Sequence, residues 1–115
     1  MSALTILIIR HGEKPGEGVW PGPGTTPEGN EDSDSLVIRG WQRAGSWSAL
    51  FGAGLNSSDY PKPAVIYAAN PDAKGPEHSQ RPFQTVTPLA AKLGPDPVTT
   101  YAVGQEEDLV REVLA

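Results

Sequence analysis

The chain has 115 residues and a formal net charge of −5 at pH 7, which suits one domain and disfavours a general nucleic-acid or membrane-surface binder. It contains no cysteine, which excludes disulfides and thiolate metal sites, and its two histidines alone make a poor metal cluster. The N-terminal apolar run is too short to cross a bilayer and lacks the basic stretch of a signal peptide. We therefore expect a cytoplasmic protein that needs no metal or cofactor.

The first predicted element is a strand over residues 4–9, a run of mostly β-branched apolar residues. Its length and composition are typical of a buried strand in a parallel sheet. Arg10, His11 and Gly12 follow at its carboxyl end, where ligands of open α/β sheets bind. A cation, an imidazole and a glycine that permits a sharp turn or a close approach suit an anion such as phosphate. The alternative is a strand that simply ends in polar residues.

Residues 14–35 predict a long loop, because they are rich in proline and glycine and then acidic and polar. Loops of this length inside a compact domain are usually functional lids or disordered. The position directly after His11 favours a lid or rim over the site, and the alternative is a surface insertion without a role. We expect this loop to be irregular, with few buried backbone groups.

A helix is predicted over residues 39–52, since Trp41, Ala44, Trp47 and Phe51 recur at helical spacing. The tryptophans could be read as a stacking platform for a ligand. A stripe at helical spacing is far more often part of a core, and we interpret it so.

Residues 64–69 predict a second buried strand, which again ends in polar and turn residues. A second helix is predicted over residues 79–93, with Ser79 as its N-cap and Gly94 as its end. Arg81 then lies in the first turn, where free N–H groups and the helix dipole favour an anion.

Residues 98–101 predict a short third strand, and residues 105–114 predict a third helix. This alternation predicts an α/β protein, a three-layer sandwich with a mostly parallel, Rossmann-like sheet covered by helices. Because no strand follows the last helix, we expect the sheet to be incomplete at its C-terminal side.

Three stretches together resemble the histidine phosphatase superfamily, which includes the phosphoglycerate mutases. Residues 10–13, Arg-His-Gly-Glu, resemble its Arg-His-Gly signature, and residues 79–90 are similar to its second arginine motif. Residues 36–44 resemble its Leu-Thr-x-x-Gly-x-x-Gln-Ala segment, with Val37 at the usual Thr and Arg43 at the usual Gln. The stretches occur in order at compatible spacing, so the resemblance covers most of residues 1–115 as a single domain.

The resemblance implies phosphoryl transfer through a phosphohistidine, with His11 as the nucleophile. Neutral imidazole is a competent nucleophile near neutral pH. Arg10 and Arg81 would bind the transferred oxygens, since guanidinium is well shaped for phosphate and phosphoryl transfer depends on positioning and positive charge. Gly12 and Lys14 complete the expected substrate-binding set. The implied activity is that of a phosphohydrolase or phosphotransferase acting on a small phosphorylated molecule.

The chain also departs from the family, whose members carry a second histidine after a later strand and an acidic proton donor. The other histidine here is His78, which precedes Arg81, and a solvated loop position suits it better than a phosphate contact. Glu106, Glu107 and Asp108 suit the dipole of the last helix better than catalysis. We therefore expect the N-terminal portion of a family domain, truncated and catalytically impaired but still able to recognise phosphate.

Two functional classes stay open on these residues. The first is the impaired phosphohydrolase or phosphotransferase, and the second is a catalytically silent module that binds a phosphorylated ligand or a partner protein. The expected partners are a phosphorylated small molecule or phosphate ion, without nucleic acid or membrane. Self-association through an exposed sheet edge is a further expectation, because a missing strand leaves that edge uncovered.

Overall fold

Three α-helices are the regular elements of the computed structural model, which describes residues 4–16, 20–53, 59–75 and 79–115. They are α1 (Ile38–Gly52), α2 (Arg81–Leu93) and α3 (Glu106–Leu114). The three helices predicted from periodicity are therefore confirmed, with boundaries that differ by one or two residues. None of the helices in these ranges is long and apolar enough to cross a membrane.

The core lies where α1 packs against α2. Leu36 and Val37, which lead into α1, are fully buried, while α3 has no buried residue. α2 ends at Gly94, whose positive φ of 112° is a conformation that glycine adopts without strain. Its predicted N-cap is wrong, because Gln80 and not Ser79 occupies that position and no side chain caps the helix. The other buried apolar residues are Ala44, Phe51, Val86, Leu89 and Ala90.

The predicted α/β sandwich is wrong, because the described ranges contain no sheet. Their one parallel pairing is an isolated bridge between Tyr67 and Val98. Two hydrogen bonds accompany it, from the Val98 N–H to the Ile66 carbonyl at 2.8 Å and from the Ala68 N–H to the Val98 carbonyl at 3.1 Å. This part of the chain is therefore a helical fold with extended connections, in which residues 64–69 and 98–101 touch without forming strands.

The run at residues 4–9 is extended but is not the buried strand that its composition predicts. All six residues are exposed, and the side chain of Ile8 is 91% exposed. The backbone of this run makes no hydrogen bond with any other described residue. A buried parallel strand needs neighbours on both edges and cover on both faces, and the run has neither here.

The loop at residues 14–35 is irregular, as predicted, but it is tied closely to α1. Thr25 forms an antiparallel bridge with Glu31, and the Thr25 N–H donates to the Leu36 carbonyl at 2.8 Å. The indole Nε1 of Trp41 donates to the Thr25 carbonyl at 2.7 Å. Because Gly24 is also buried, the expectation of few buried backbone groups is not met in the second half of the loop.

Two glycines allow the segment that carries His11 to pack directly on α1. A Cβ on Gly12 would lie 2.8 Å from the Gly40 carbonyl oxygen, and a Cβ on Gly40 would lie 2.8 Å from the Glu13 carbonyl oxygen. Both contacts are to backbone, which cannot move aside as the end of a side chain can. The α1 surface thus fixes the backbone that directly follows His11 through close contact.

Gly40→Ala is expected to destabilise the fold by about 1–3 kcal/mol, because the added methyl group overlaps the Glu13 backbone. Gly45→Ala is the matched control in the same helix, since a Cβ there meets nothing within 4 Å. The control should gain about 0.5–1 kcal/mol from helix propensity alone. Urea denaturation of both variants measures the difference, and equal stability would contradict the close approach.

Candidate functional site

A cleft of about 410 Å³ lies where His11 meets the start of α2. Its size is within the usual range for small-molecule sites. Among the residues that the structure describes, no acidic side chain lines this cleft, whereas two cations and an imidazole do. The lining therefore favours a small anion. The polar lining residues are His11, Asn70, Lys74, Ser79 and Arg81.

Thr85 connects the backbone beside His11 to the residue that begins α2. Its Oγ1 accepts a hydrogen bond from the Gly12 N–H at 2.8 Å and donates one to the Arg81 carbonyl at 2.7 Å. Thr85 is 1% exposed, so these bonds form away from water. One buried hydroxyl thus links the backbone next to His11 with that of Arg81, two of the three residues predicted to act on phosphate.

The imidazole of His11 is fixed in one tautomer by its own neighbour. Nδ1 lies 2.6 Å from the Gly12 carbonyl oxygen. A carbonyl oxygen can only accept, so Nδ1 carries the hydrogen and donates it. In the neutral ring, Nε2 then keeps its lone pair and is the nitrogen able to attack an electrophile.

The guanidinium of Arg81 is held by the loop and still has a donor to offer. Its Nη1 donates to the Ser33 carbonyl at 3.0 Å. Its Nε is buried and has no hydrogen-bond partner among the described residues. Because Nε is closed to water, it is closed to an anion as well, and the N–H groups that the guanidinium can offer to a ligand are those of its outer nitrogens.

Gln80 ties two loops to the start of α2. Its backbone N–H donates to the Asp34 carbonyl at 2.9 Å, and its side-chain Nε2 donates to the Pro71 carbonyl at 2.7 Å. The second bond anchors the turn that leads to Lys74, which was not among the predicted site residues. Lys74 lies in the polar loop that follows the predicted strand at residues 64–69. The expectation that ligands bind at the carboxyl ends of strands could have pointed to it.

The other predicted site residues do not line the cleft. Arg10 is exposed and is not among the described residues that line the cleft. Lys14 is also exposed, and Gly12 is buried against Gly40 instead of facing a ligand. The contact that Gly12 permits is thus with α1. His78 lies outside the described residues.

The three acidic residues of α3 lie in its first turn, as predicted, and outside the cleft. The Gly104 N–H donates to Glu106 Oε1 at 3.0 Å, and this bond lowers the pKa of the Glu106 carboxyl. Arg111 forms exposed ion pairs with Glu107 and Asp108, both at 3.3 Å. Within the described ranges, no group of three or more metal-ligating side chains is placed to hold a metal ion.

Glu13 does not line the cleft and instead forms an ion pair with Arg43 of α1. Arg43 donates to its two carboxylate oxygens at 2.8 and 3.1 Å. The hydrogen bond from Arg43 lowers the pKa of Glu13 below the ordinary 4.5. A lowered folded-state pKa means that this pair stabilises the fold above pH 4.5 and ceases to do so as the pH falls through the lower value.

Glu13→Gln should therefore lower the melting temperature slightly at pH 7 and progressively less on acidification. The effect is small because the carboxylate is 27% exposed and the guanidinium 52% exposed, and water screens such pairs. Thermal melts of both proteins between pH 7 and pH 3 measure it. A gap that widened towards low pH would contradict the assigned sign.

Thr85→Val is expected to destabilise the fold by about 1–3 kcal/mol, because it leaves the buried Gly12 N–H without its acceptor. Thr85→Ser is the control, since it keeps the hydroxyl and loses only a methyl group. Denaturant unfolding of both variants gives the comparison. If the valine variant proved as stable as the serine variant, the hydroxyl link between Gly12 and Arg81 would contribute nothing to the free energy of unfolding.

Comparisons of the chain with protein families, with curated proteins and with solved structures found no match. The assignment of a role to the cleft therefore depends on the geometry of His11, Lys74 and Arg81 and on the motif resemblance described above.

Proposed function

We propose that the cleft binds the phosphoryl group of a small phosphorylated substrate and that His11 accepts this group, as in a phosphohydrolase or phosphotransferase. The observation that carries the proposal is the shared cleft of His11, Lys74 and Arg81, whose described lining contains no acidic side chain. The cytoplasmic location expected from the sequence belongs to the same proposal.

In the proposed reaction, the His11 Nε2 lone pair attacks phosphorus and forms a P–N bond. The P–O bond to the leaving group breaks, and its electron pair stays on the leaving oxygen. The Gly12 carbonyl holds Nδ1–H and stabilises the positive charge that develops on the ring. Arg81 and Lys74 donate to the non-bridging oxygens, which carry the charge of the transition state. Water or an acceptor alcohol then breaks the P–N bond and regenerates His11.

Slow turnover is part of the proposal. No carboxyl group lines the described part of the cleft, so the leaving oxygen has no acid of that kind to protonate it. General acid catalysis typically contributes about 10²–10⁴-fold. Substrates with good leaving groups should therefore react much faster than alkyl phosphates.

A second candidate function is binding of a phosphorylated ligand without chemistry. The same lack of a carboxyl group in the described cleft favours it, because Arg81 and Lys74 suffice for binding. The two candidates differ in one respect, which is whether a bond to His11 ever forms.

Incubation with acetyl phosphate tests the proposal, because this donor needs no acid to assist its leaving group. We expect one added phosphoryl group by mass, labile in acid, stable in base and located on His11. His11→Ala should remain unlabelled, while His78→Ala, which removes the other histidine, should label normally. If phosphate binds and no label forms, the binding function holds instead.

A further inference from the structure

A second, smaller pocket of about 150 Å³ adjoins the cleft. Ala69, Ala102 and Val103 line both cavities, so these small apolar residues form the boundary between them. Ala69 comes shortly after Tyr67, and Ala102 and Val103 come after Val98, the partner of Tyr67 in the isolated bridge. The Asn70 N–H donates to the Tyr101 carbonyl at 2.9 Å and holds the ends of these two segments together. The two cavities therefore share an apolar wall.

The smaller pocket has the size and lining of a site for one aromatic ring. It is a half-open depression at the surface, so a ring bound there would pack against its apolar wall and keep one edge in water. Tyr67, Tyr101 and Leu109 contribute two rings and an alkyl chain to the lining. The Tyr101 hydroxyl is already engaged, donating to Glu112 Oε1 at 3.2 Å, so its ring is what it offers to a ligand.

The charge of this pocket opposes that of the cleft. Glu106 lines it, and the Gly104 N–H bond that lowers the pKa of this carboxyl keeps it ionised at neutral pH. A carboxylate or a second phosphate placed there would meet a like charge. The pocket thus selects a neutral group, while the neighbouring cleft carries the cations.

We propose that this pocket binds the neutral aromatic ring of the substrate, so that the substrate class is the aryl phosphate monoesters. The inference depends on the proposed function, since it takes the phosphoryl group to lie beside His11 and Arg81. Aryl oxygens are also good leaving groups, which suits a cleft whose described lining lacks a carboxylic acid. A phenyl ring across the boundary of Ala69, Ala102 and Val103 would connect the two cavities.

Calorimetric titration of the whole chain with inorganic phosphate, methyl phosphate and phenyl phosphate tests this inference. Phenyl phosphate should bind at least about tenfold more tightly than methyl phosphate, because burial of a ring contributes well over the energy of one tenfold step. Equal affinity for the two esters would overturn the aromatic site while leaving the proposed function intact. Failure of all three ligands to bind would overturn the proposed function, and the aromatic site with it.

Leu109→Ala removes an apolar side chain that lines the smaller pocket and not the cleft, so it should reduce the advantage of phenyl phosphate with inorganic phosphate affinity unchanged. Ala91→Leu is the control on the exposed side of α2 and should change neither. Tyr101→Leu covers the case in which the alanine variant fails to fold, since Tyr101 lines the smaller pocket and not the cleft, and its hydroxyl makes an exposed bond to Glu112. It should weaken phenyl phosphate alone, and equal losses for both ligands in these variants would overturn the inference.

Discussion

Arg81→Lys is expected to weaken phosphate binding by about tenfold to a hundredfold, although it keeps the positive charge. The planar guanidinium donates through Nη1 to the Ser33 carbonyl and can present the N–H groups of Nη2 to an anion at the same time. An ammonium group cannot do both in a fixed geometry. Hydrogen bonds to charged groups contribute about 1.5–3 kcal/mol, which sets the size of the loss.

Titration of both proteins with inorganic phosphate measures this loss, and Arg111→Lys is the matched control. Arg111 forms only exposed ion pairs on α3, so the same substitution there should leave phosphate affinity unchanged. If the Arg81 and Arg111 variants bind phosphate equally well, the anion does not contact the guanidinium of Arg81 and the cleft is not its site.

His11→Ala is expected to abolish phosphoryl transfer and to leave most phosphate binding in place. Without the imidazole no P–N bond can form, so the slow hydrolysis of phenyl phosphate should fall to the uncatalysed rate. The substitution removes one neutral donor or acceptor from the cleft, which should weaken phosphate binding by no more than about tenfold. Arg81 and Lys74 remain to hold the anion.

Initial rates with phenyl phosphate and phosphate titrations of the same samples separate the two effects. His78→Ala is the control, and it should keep both activity and binding. Fast turnover by the unmodified chain would contradict the slow catalysis expected of a cleft without a carboxyl group on its described wall. Turnover that survived His11→Ala would remove the nucleophile assignment.

The helices could be predicted from the sequence because their signals are local. Ala44 and Phe51 on α1, and Val86 and Ala90 on α2, recur at helical spacing and are buried. Gly94 ends α2 as its residue type predicts. The N-cap of α2 was harder to predict. Residue preference favours Ser79, but the helix begins after Gln80, whose side chain makes no capping hydrogen bond.

The lack of a sheet in the described ranges could not be foreseen, because strands form only with partners that lie far along the chain. Residues 4–9 have the composition of a buried strand, yet composition specifies no neighbour to pair with. Of the predicted pairings among described residues, the structure contains the single bridge of Tyr67 and Val98. A correct local pattern therefore gave a wrong fold class.

The site was predictable where the motifs place chemistry at the ends of elements. His11 and Arg81 lie on one cleft even though the described residues form no sheet beneath them. Arg10 was assigned from the Arg-His-Gly signature at a predicted strand end, and because residues 4–9 form no strand, that reasoning did not fix its position relative to the cleft. Lys74 has no motif of its own, and only the tertiary bond between Gln80 and Pro71 explains its position.

The central claim is that His11 accepts a phosphoryl group on Nε2, and NMR of the ¹⁵N-labelled chain after treatment with acetyl phosphate tests it most directly. Because Nδ1 donates to the Gly12 carbonyl, we predict coupling of phosphorus to Nε2 and a retained proton on Nδ1. Phosphorus on Nδ1 of His11 would contradict the tautomer assigned here. Phosphate bound in the cleft with an unmodified His11 would contradict the phosphohistidine mechanism itself.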